Sequence, residues 1–128
     1  MRLISDVARA LDYAHAQGVL HRDVKPHNTL IEDFHGQERA VLTDFGIARA
    51  LDDTITASAV NITFAYAAPE RFTDALGVDH RADVYSLGCT LFQLLTGRTP
   101  FTTGSPAAVI YDHLHSPPPS PRELRPIR

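Results

Sequence analysis

One short segment of the chain combines acidic, basic and amide side chains, and a further carboxylate follows it. The segment reads His21-Arg22-Asp23-Val24-Lys25-Pro26-His27-Asn28, and the later carboxylate is Asp44. Carboxylate and amide oxygens are the ligands that hard divalent cations such as magnesium prefer, and a carboxylate can also orient an attacking hydroxyl group. These residue types suit phosphoryl transfer, in which metal ions bridge the phosphates and the protein supplies little covalent chemistry.

Chance does not explain this segment. At about 5% per residue type, its six letters H-R-D-x-K-P-x-N would match a random position on the order of once in 10⁷ to 10⁸ tries. Three further motifs follow in order: Asp44-Phe45-Gly46, Ala68-Pro69-Glu70 and Asp83-Val84-Tyr85-Ser86-Leu87-Gly88. Together the four motifs resemble the signature set of eukaryotic-like serine/threonine protein kinases over nearly the whole chain.

The resemblance implies the fold and its extent. We expect a kinase-like C-terminal lobe that is mainly α with a few short β-strands and is truncated at both ends. Residues 1–115 would be a partial catalytic domain, and residues 116–128 would be a Pro-rich extended tail.

The resemblance also assigns the catalytic roles. Asp23 would accept or orient the proton of the substrate hydroxyl, and Lys25 would neutralise charge on the phosphate transferred from ATP. Asn28 and Asp44 would hold Mg²⁺, with Mn²⁺ as a substitute. Lysine two residues after the catalytic aspartate is typical of serine/threonine kinases, so serine and threonine hydroxyls of proteins are the favoured acceptors. Small-molecule kinases share a bare H-x-D-x-x-x-x-N pattern, but the A-P-E and D-x-Y-S-x-G segments favour a protein kinase.

A second group of residues would support the site. His21 is interpreted as a packing and hydrogen-bonding residue, Phe45 as a switch residue packed inside, and Gly46 as a pivot because glycine tolerates positive φ. Asp83 is expected to accept hydrogen bonds from the backbone of the catalytic loop, which is the segment from His21 to Asn28. In the family, Glu70 pairs with an arginine on a later helix, and we expect its carboxylate to destabilise a chain that lacks that partner.

Regulation by phosphorylation follows from Arg22. In the family this arginine binds a phosphate on the activation loop through charge-assisted hydrogen bonds. The candidate acceptors are Thr54, Thr56 and Ser58, and the alternative is that these are ordinary solvated loop hydroxyls.

The segment before Ala68-Pro69-Glu70 would hold the acceptor peptide. Thr63 matches the threonine of the family's G-T-x-x-Y pattern, which lies beside the catalytic aspartate. Here Ile62 replaces the glycine, and a β-branched residue does not readily adopt positive φ, so we expect a strained or reshaped loop.

The elements that must position these residues follow from the apolar pattern. Helical spacing begins at Leu3 and stops at Gly18, and a second helix is predicted from Arg81 to Thr96, apolar on most sides and therefore buried. Ser105-Pro106 predicts the start of a third helix. Short strands are predicted at three apolar runs: Val19-Leu20, Thr29-Leu30-Ile31 and Ala40-Val41-Leu42.

Composition excludes several functions. The net charge is −3 and the sequence pI is about 6.1, so nucleic acid is not expected as a partner. The single cysteine, Cys89, has no partner for a disulfide and is expected in the core of a protein in a reducing compartment. No apolar run is long enough to span a bilayer, so we expect a cytoplasmic chain. His113 and His115 point to different sides of a helix, which disfavours a zinc site.

The elements that clamp ATP are not in this sequence. It contains no G-x-G-x-x-G loop and no Val-Ala-x-Lys strand, so the 128 residues resemble about half of a kinase domain. We expect the isolated chain to be inactive unless the missing N-terminal lobe or a full-length kinase supplies these elements. The alternative is a non-catalytic remnant that binds a full-length kinase or its substrates. The sequence around Ala68-Pro69-Glu70 is most similar to that of actinobacterial members of the kinase family, many of which are membrane-anchored.

Overall fold

The computed structural model describes residues 2–44, 64–73, 78–102 and 104–124. The described elements are five helices and one two-stranded sheet, in the order α1 (Arg2–Ala16), β1 (Thr29–Phe34), β2 (Gln37–Leu42), α2 (Glu70–Thr73), α3 (Arg81–Thr96), α4 (Pro106–His115) and α5 (Pro121–Leu124). A single 3₁₀ turn, Pro26–Asn28, leads into β1. The mainly α architecture with short strands is the predicted fold class.

Helix α1 and the hairpin β1–β2 enclose an apolar core beside the motif segment. The core consists of Val7, Leu11, Val24, Ala40 and Leu42. Burying a valine or leucine side chain stabilises the fold by about 1.5–3 kcal/mol relative to exposure. Val24 belongs to the motif segment, so packing of the core fixes the residues on either side of it.

The hairpin has a defined register because its turn is short. Thr29 pairs with Leu42 and Phe34 pairs with Gln37, which leaves His35 and Gly36 as the two turn residues. Both have positive φ, 53° and 79°, as a type I′ turn requires. The turn therefore sets which residues of β2 face α1.

Helix α3 has the predicted bounds but is not buried all round. It ends at Gly97, whose φ of 86° and N–H bond to the Gln93 carbonyl form a left-handed cap. Its buried residues are Ala82, Asp83, Ser86, Cys89, Thr90 and Phe92. Val84 and Leu94 remain 56% and 45% exposed, so the prediction of burial on most sides was wrong for them. The reason is that small and polar residues form much of the buried face.

The third predicted helix and the core cysteine are present. Ser105 caps α4 by accepting a hydrogen bond from the Ala108 N–H at 3.2 Å, and Pro106 occupies the first helical position. Cys89 is buried, and burial raises the pKa of its thiol to about 12, so it stays protonated.

Two element predictions were wrong. Val19-Leu20 forms no strand, because the described sheet has two strands and both lie in the hairpin. The tail is not extended throughout, because Pro121–Leu124 is helical and contacts α3. Ser120 explains this short helix: its hydroxyl accepts from the Arg122 N–H and its carbonyl from the Glu123 N–H. No helix in the described parts of the chain is both long and apolar enough to cross a bilayer.

Candidate active site

His21 ties the motif loop to the end of β2. Its ring is fully buried, with Nε2 2.7 Å from the Thr43 carbonyl oxygen. Nδ1 accepts a hydrogen bond from the Asp23 N–H at 3.0 Å, so the ring proton must lie on Nε2, which donates to Thr43. In this neutral tautomer, one ring is hydrogen-bonded both to the backbone of Asp23 and to Thr43, the residue before Asp44.

Asp83 anchors the same loop from α3. One carboxylate oxygen accepts from the His21 N–H and the other from the Arg22 N–H, both at 2.8 Å. The first oxygen also lies 2.8 Å from Nε2 of His15 on α1. Asp83 is only 2% exposed, and a buried carboxylate is stable only when it is paired in this way. The loop is therefore fixed to two helices through one side chain.

Arg22 has a backbone conformation that needs such support. Its φ is 75°, which costs a residue other than glycine about 1–3 kcal/mol. Its N–H is held by Asp83, and its carbonyl accepts a hydrogen bond from Arg71 Nη1 at 2.8 Å. The N–H and the carbonyl of Arg22 are thus both held. The orientation of the next residue, Asp23, is therefore fixed as well.

Asp23, Lys25 and Asn28 form one polar cluster. The Asn28 amide nitrogen donates to the Asp23 carbonyl at 2.7 Å and to its carboxylate at 3.0 Å. The Lys25 ammonium lies 3.6 Å from the same carboxylate oxygen. Asn28 is buried, whereas Asp23 and Lys25 are partly accessible. A positioned carboxylate can orient a hydroxyl group, and a lysine beside it can balance negative charge on a phosphate.

Asp44 directly follows a residue that is bonded to this cluster, Thr43. The Thr43 N–H and hydroxyl both donate to the Asn28 carbonyl, at 2.8 and 3.1 Å. Asp44 follows directly, exposed and with a φ of 56°, a region that aspartate and asparagine tolerate better than most residues. Because the Asn28 amide nitrogen is bonded to Asp23, the amide oxygen is the Asn28 atom suited to a cation. The two residues together offer oxygen ligands alone.

Comparison with known proteins shows the family of the chain. The family model described as protein kinase domain matches residues 1–119. The chain belongs to the protein kinase domain family. The match ends four residues beyond the boundary predicted at residue 115.

Mycobacterial kinases are among the similar proteins. Serine/threonine-protein kinase PknJ of Mycobacterium tuberculosis is 56% identical over 123 residues, which cover 92% of this chain and 21% of that protein. PknD and PknH of the same species are 48% and 46% identical over 129 residues. These matches cover 98% and 97% of this chain and 19% and 20% of those proteins. The chain thus spans about a fifth of the length of these relatives, and the expectation of actinobacterial relatives is confirmed.

Several kinase-motif residues lie outside the described part of the chain. They are Phe45, Gly46, Thr54, Thr56, Ser58, Ile62 and Thr63. Glu70 is described: it is half-buried at the start of α2. Within the described ranges, no ion pair to its carboxylate is found.

Two residues bonded to the candidate site, His15 and Arg71, belong to none of the four motifs. His15 bonds to Asp83 across 68 positions, and Arg71 bonds to Arg22 across 49. His15 lies in the last turn of α1, where a histidine is also explained by the helix dipole, so its type carried no specific signal. The described residues contain no cluster of three or more His, Cys, Asp or Glu that could bind a metal.

Proposed function

We propose that this chain carries the catalytic residues of a serine/threonine protein kinase, which transfers the γ-phosphate of ATP to protein hydroxyls. The observation that carries the proposal is the Asp23 carboxylate, held by the Asn28 amide at 3.0 Å and faced by the Lys25 ammonium at 3.6 Å. Family membership and the kinase names of the mycobacterial relatives support it.

Each residue of the cluster has a separate task. Asp23 orients the attacking hydroxyl and takes its proton, while Asn28 prevents the carboxylate from rotating away. Lys25 stabilises negative charge on the phosphate during transfer. Asp83 does no chemistry itself but keeps the loop in its strained conformation, so that little reorganisation is needed during the reaction.

Magnesium fits the oxygen atoms at this site. The Asn28 amide oxygen and the Asp44 carboxylate would hold the ion. Mg²⁺ commonly takes one or two protein ligands and completes its shell with substrate phosphates and water, so two ligands are sufficient. When bound, the ion neutralises charge on the phosphates of ATP. Mn²⁺, which also prefers oxygen ligands, could replace it.

Loop phosphorylation is proposed as the means of regulation. Arg22 and Arg71 line one cleft of about 200 Å³ beside the catalytic loop, together with Asp79 and Asp83. Guanidinium groups bind phosphate through charge-assisted hydrogen bonds. The phosphate would come from Thr54, Thr56 or Ser58, and Thr63 would contact the acceptor peptide. We further propose that the chain acts in the cytoplasm on protein substrates.

Phosphate transfer requires a nucleotide-binding lobe, whose motifs are not among these 128 residues. The test is therefore a chimera in which residues 1–119 replace the matched segment of PknJ. We expect the chimera to transfer phosphate from Mg-ATP to a protein acceptor, and Asp23→Asn to lower the rate at least about 100-fold, because a positioned base contributes about 10²–10⁴. Asp33→Asn, the same change at an exposed hairpin position, is the control and should leave the rate unchanged.

A folded chimera that binds ATP without transferring phosphate would contradict the proposal. It would favour the alternative of a non-catalytic remnant that binds a full-length kinase or its substrates. Equal activity of wild type and Asp23→Asn would contradict the role of the carboxylate even if transfer occurred.

A further inference from the structure

A second buried histidine, His113, lies on α4 and belongs to none of the four motifs. His113 is 5% exposed, and its Nδ1 lies 2.6 Å from the Tyr85 hydroxyl. Its Nε2 is buried without a hydrogen-bond partner, the one such side-chain atom found in the described residues. A buried polar atom without a partner costs stability, so its presence in a packed core requires an explanation.

The surroundings of His113 are aromatic. The Phe101 ring meets it edge to face at 5.0 Å, the Tyr85 ring lies at 5.5 Å, and the Phe72 ring lies at 6.4 Å. Phe72 in turn contacts Phe64 edge to face at 5.5 Å. Through these contacts the ring links α4 and α3 to the segment that precedes Ala68-Pro69-Glu70.

The segment next to His113 is a turn held unequally at its two ends. The Ala67 N–H donates to the Phe64 carbonyl at 3.2 Å and closes the turn. At one end, the Tyr66 carbonyl accepts from the Ser86 hydroxyl at 2.6 Å. At the other end, the Phe64 ring packs on Phe72, whose ring lies 6.4 Å from His113, and the backbone of Phe64 and Ala65 approaches the His113 ring. His113 therefore contacts the end of the turn that Ser86 does not hold.

The protonation state of the ring fits this position. Burial lowers the pKa of His113, and the backbone of Phe64 and Ala65 and the Asp112 carboxylate oppose the shift only in part. The ring is thus neutral near pH 7. The Tyr85 hydroxyl, whose pKa is raised by its own burial, stays protonated and can donate to Nδ1, which directs the Nε2 proton outward from Tyr85.

We propose that His113, oriented by Tyr85, is a positioning residue that orders the Phe64–Ala67 turn and thereby sets how the protein acceptor docks. The consequence for docking rests on the proposed kinase function, because the turn belongs to the segment before Ala68-Pro69-Glu70 that would hold the acceptor. Ordering of the turn itself does not depend on that function.

The first arm of the test measures amide hydrogen exchange in the full 128-residue chain. His113→Leu should speed exchange at residues 64–67 about fivefold relative to the amides of α1, as expected when one side chain that packs beside the turn is changed. His113→Gln, whose amide reaches the position of Nε2, should restore most of the protection. Tyr85→Phe should give a smaller increase than His113→Leu because the ring loses its orientation but stays in place. His115→Leu, an exposed histidine on the same helix, is the matched control and should change nothing.

The second arm measures kinetics in the PknJ chimera. His113→Leu should raise the KM for the protein acceptor about fivefold, with the KM for ATP and kcat changed by less than about twofold. If the wild-type chimera transfers no phosphate, the kinase proposal fails, while the exchange experiment still decides whether His113 orders the turn. A uniform increase of exchange across the whole chain, or no rescue by His113→Gln, would overturn the positioning role. Equal increases in the KM for ATP and in the KM for the protein acceptor would overturn its link to docking.

Discussion

At the scale of single residues, the buried Asp83 carboxylate has the largest structural role in the site. It satisfies two backbone N–H groups of a loop in a strained conformation and also bonds to His15. The strain at Arg22 would otherwise favour another loop conformation. The geometry of Asp23 thus depends on a residue that is 60 positions away in the sequence.

Replacement of this carboxylate tests that dependence. Asp83→Asn keeps the shape but places an amide against N–H donors, and we expect the free energy of unfolding to fall by about 3 kcal/mol. Urea denaturation of the chain measures the loss. Asp79→Asn is the control, because Asp79 is half-exposed and its ion pair with Arg81 spans 3.7 Å, so a change below about 0.5 kcal/mol is expected. Equal effects of the two substitutions would show that Asp83 is not an anchor.

The buried histidine makes stability depend on pH. Because the folded-state pKa of His113 lies below its ordinary value of 6.5, the unfolded chain binds the proton more readily. The free energy of unfolding should therefore be unaffected by His113 protonation above about pH 6.5 and should decrease as the pH falls below it. Denaturation at pH 7.5 and pH 5.0 should show a smaller difference in His113→Gln than in wild type. His115→Gln should keep the wild-type difference, and a loss of pH dependence there instead would contradict the assignment.

Residue types and spacing predicted part of the site. Asp23, Lys25 and Asn28 lie within six positions, so one loop had to bring them together, and the structure does so. The expected bonds from the loop backbone to Asp83 are also seen. His15, Arg71 and His113 could not be predicted, because their partners are distant in sequence and a single histidine or arginine carries no spacing signal.

At the scale of elements, turns and caps decide where helices and strands end. Gly36 and Gly97 both adopt positive φ, and one closes the hairpin while the other ends α3. The sequence predicted the ends of α3 because Gly97 and Pro100 mark its stop. It did not predict the helix Pro121–Leu124, because five prolines in the tail outweighed the capping signal of Ser120.

Two glycine substitutions should have opposite effects. A Cβ atom at Gly36 or Gly88 would meet no atom within 4 Å. The effect of alanine at each position therefore depends only on the backbone conformation there. Gly36 has a φ of 79°, and Gly36→Ala should destabilise the chain by about 1 kcal/mol. Gly88 lies inside α3, and Gly88→Ala should stabilise it by about 1 kcal/mol. Thermal unfolding measures both shifts, and the same sign for the two would contradict the assigned backbone conformations.

At the scale of the whole molecule, three elements converge on one loop. Helix α1 contributes His15, helix α3 contributes Asp83, and the end of β2 contributes the Thr43 carbonyl. The fold class and the family were predictable because the four motifs occur in order. The packing of α4 against the turn at Phe64 was not, because it depends on contacts between aromatic rings far apart in the chain.

The separate roles proposed for Asp23 and Asp44 fit their different surroundings. Asp23 is bonded to Asn28 and faces Lys25, whereas Asp44 is exposed at the end of the hairpin. A base that is lost cannot be replaced by more metal, but weakened metal binding can be offset by a higher concentration of the ion.

The most direct measurement is the rate of phosphate transfer against magnesium concentration for the PknJ chimera and its Asp23→Asn and Asp44→Asn variants. Both variants should be at least about 100-fold slower than wild type at low magnesium. Raising magnesium should recover part of the rate of Asp44→Asn and none of the rate of Asp23→Asn. Identical magnesium responses of the two variants, or wild-type rates in either, would contradict the assignment of a base and a metal ligand.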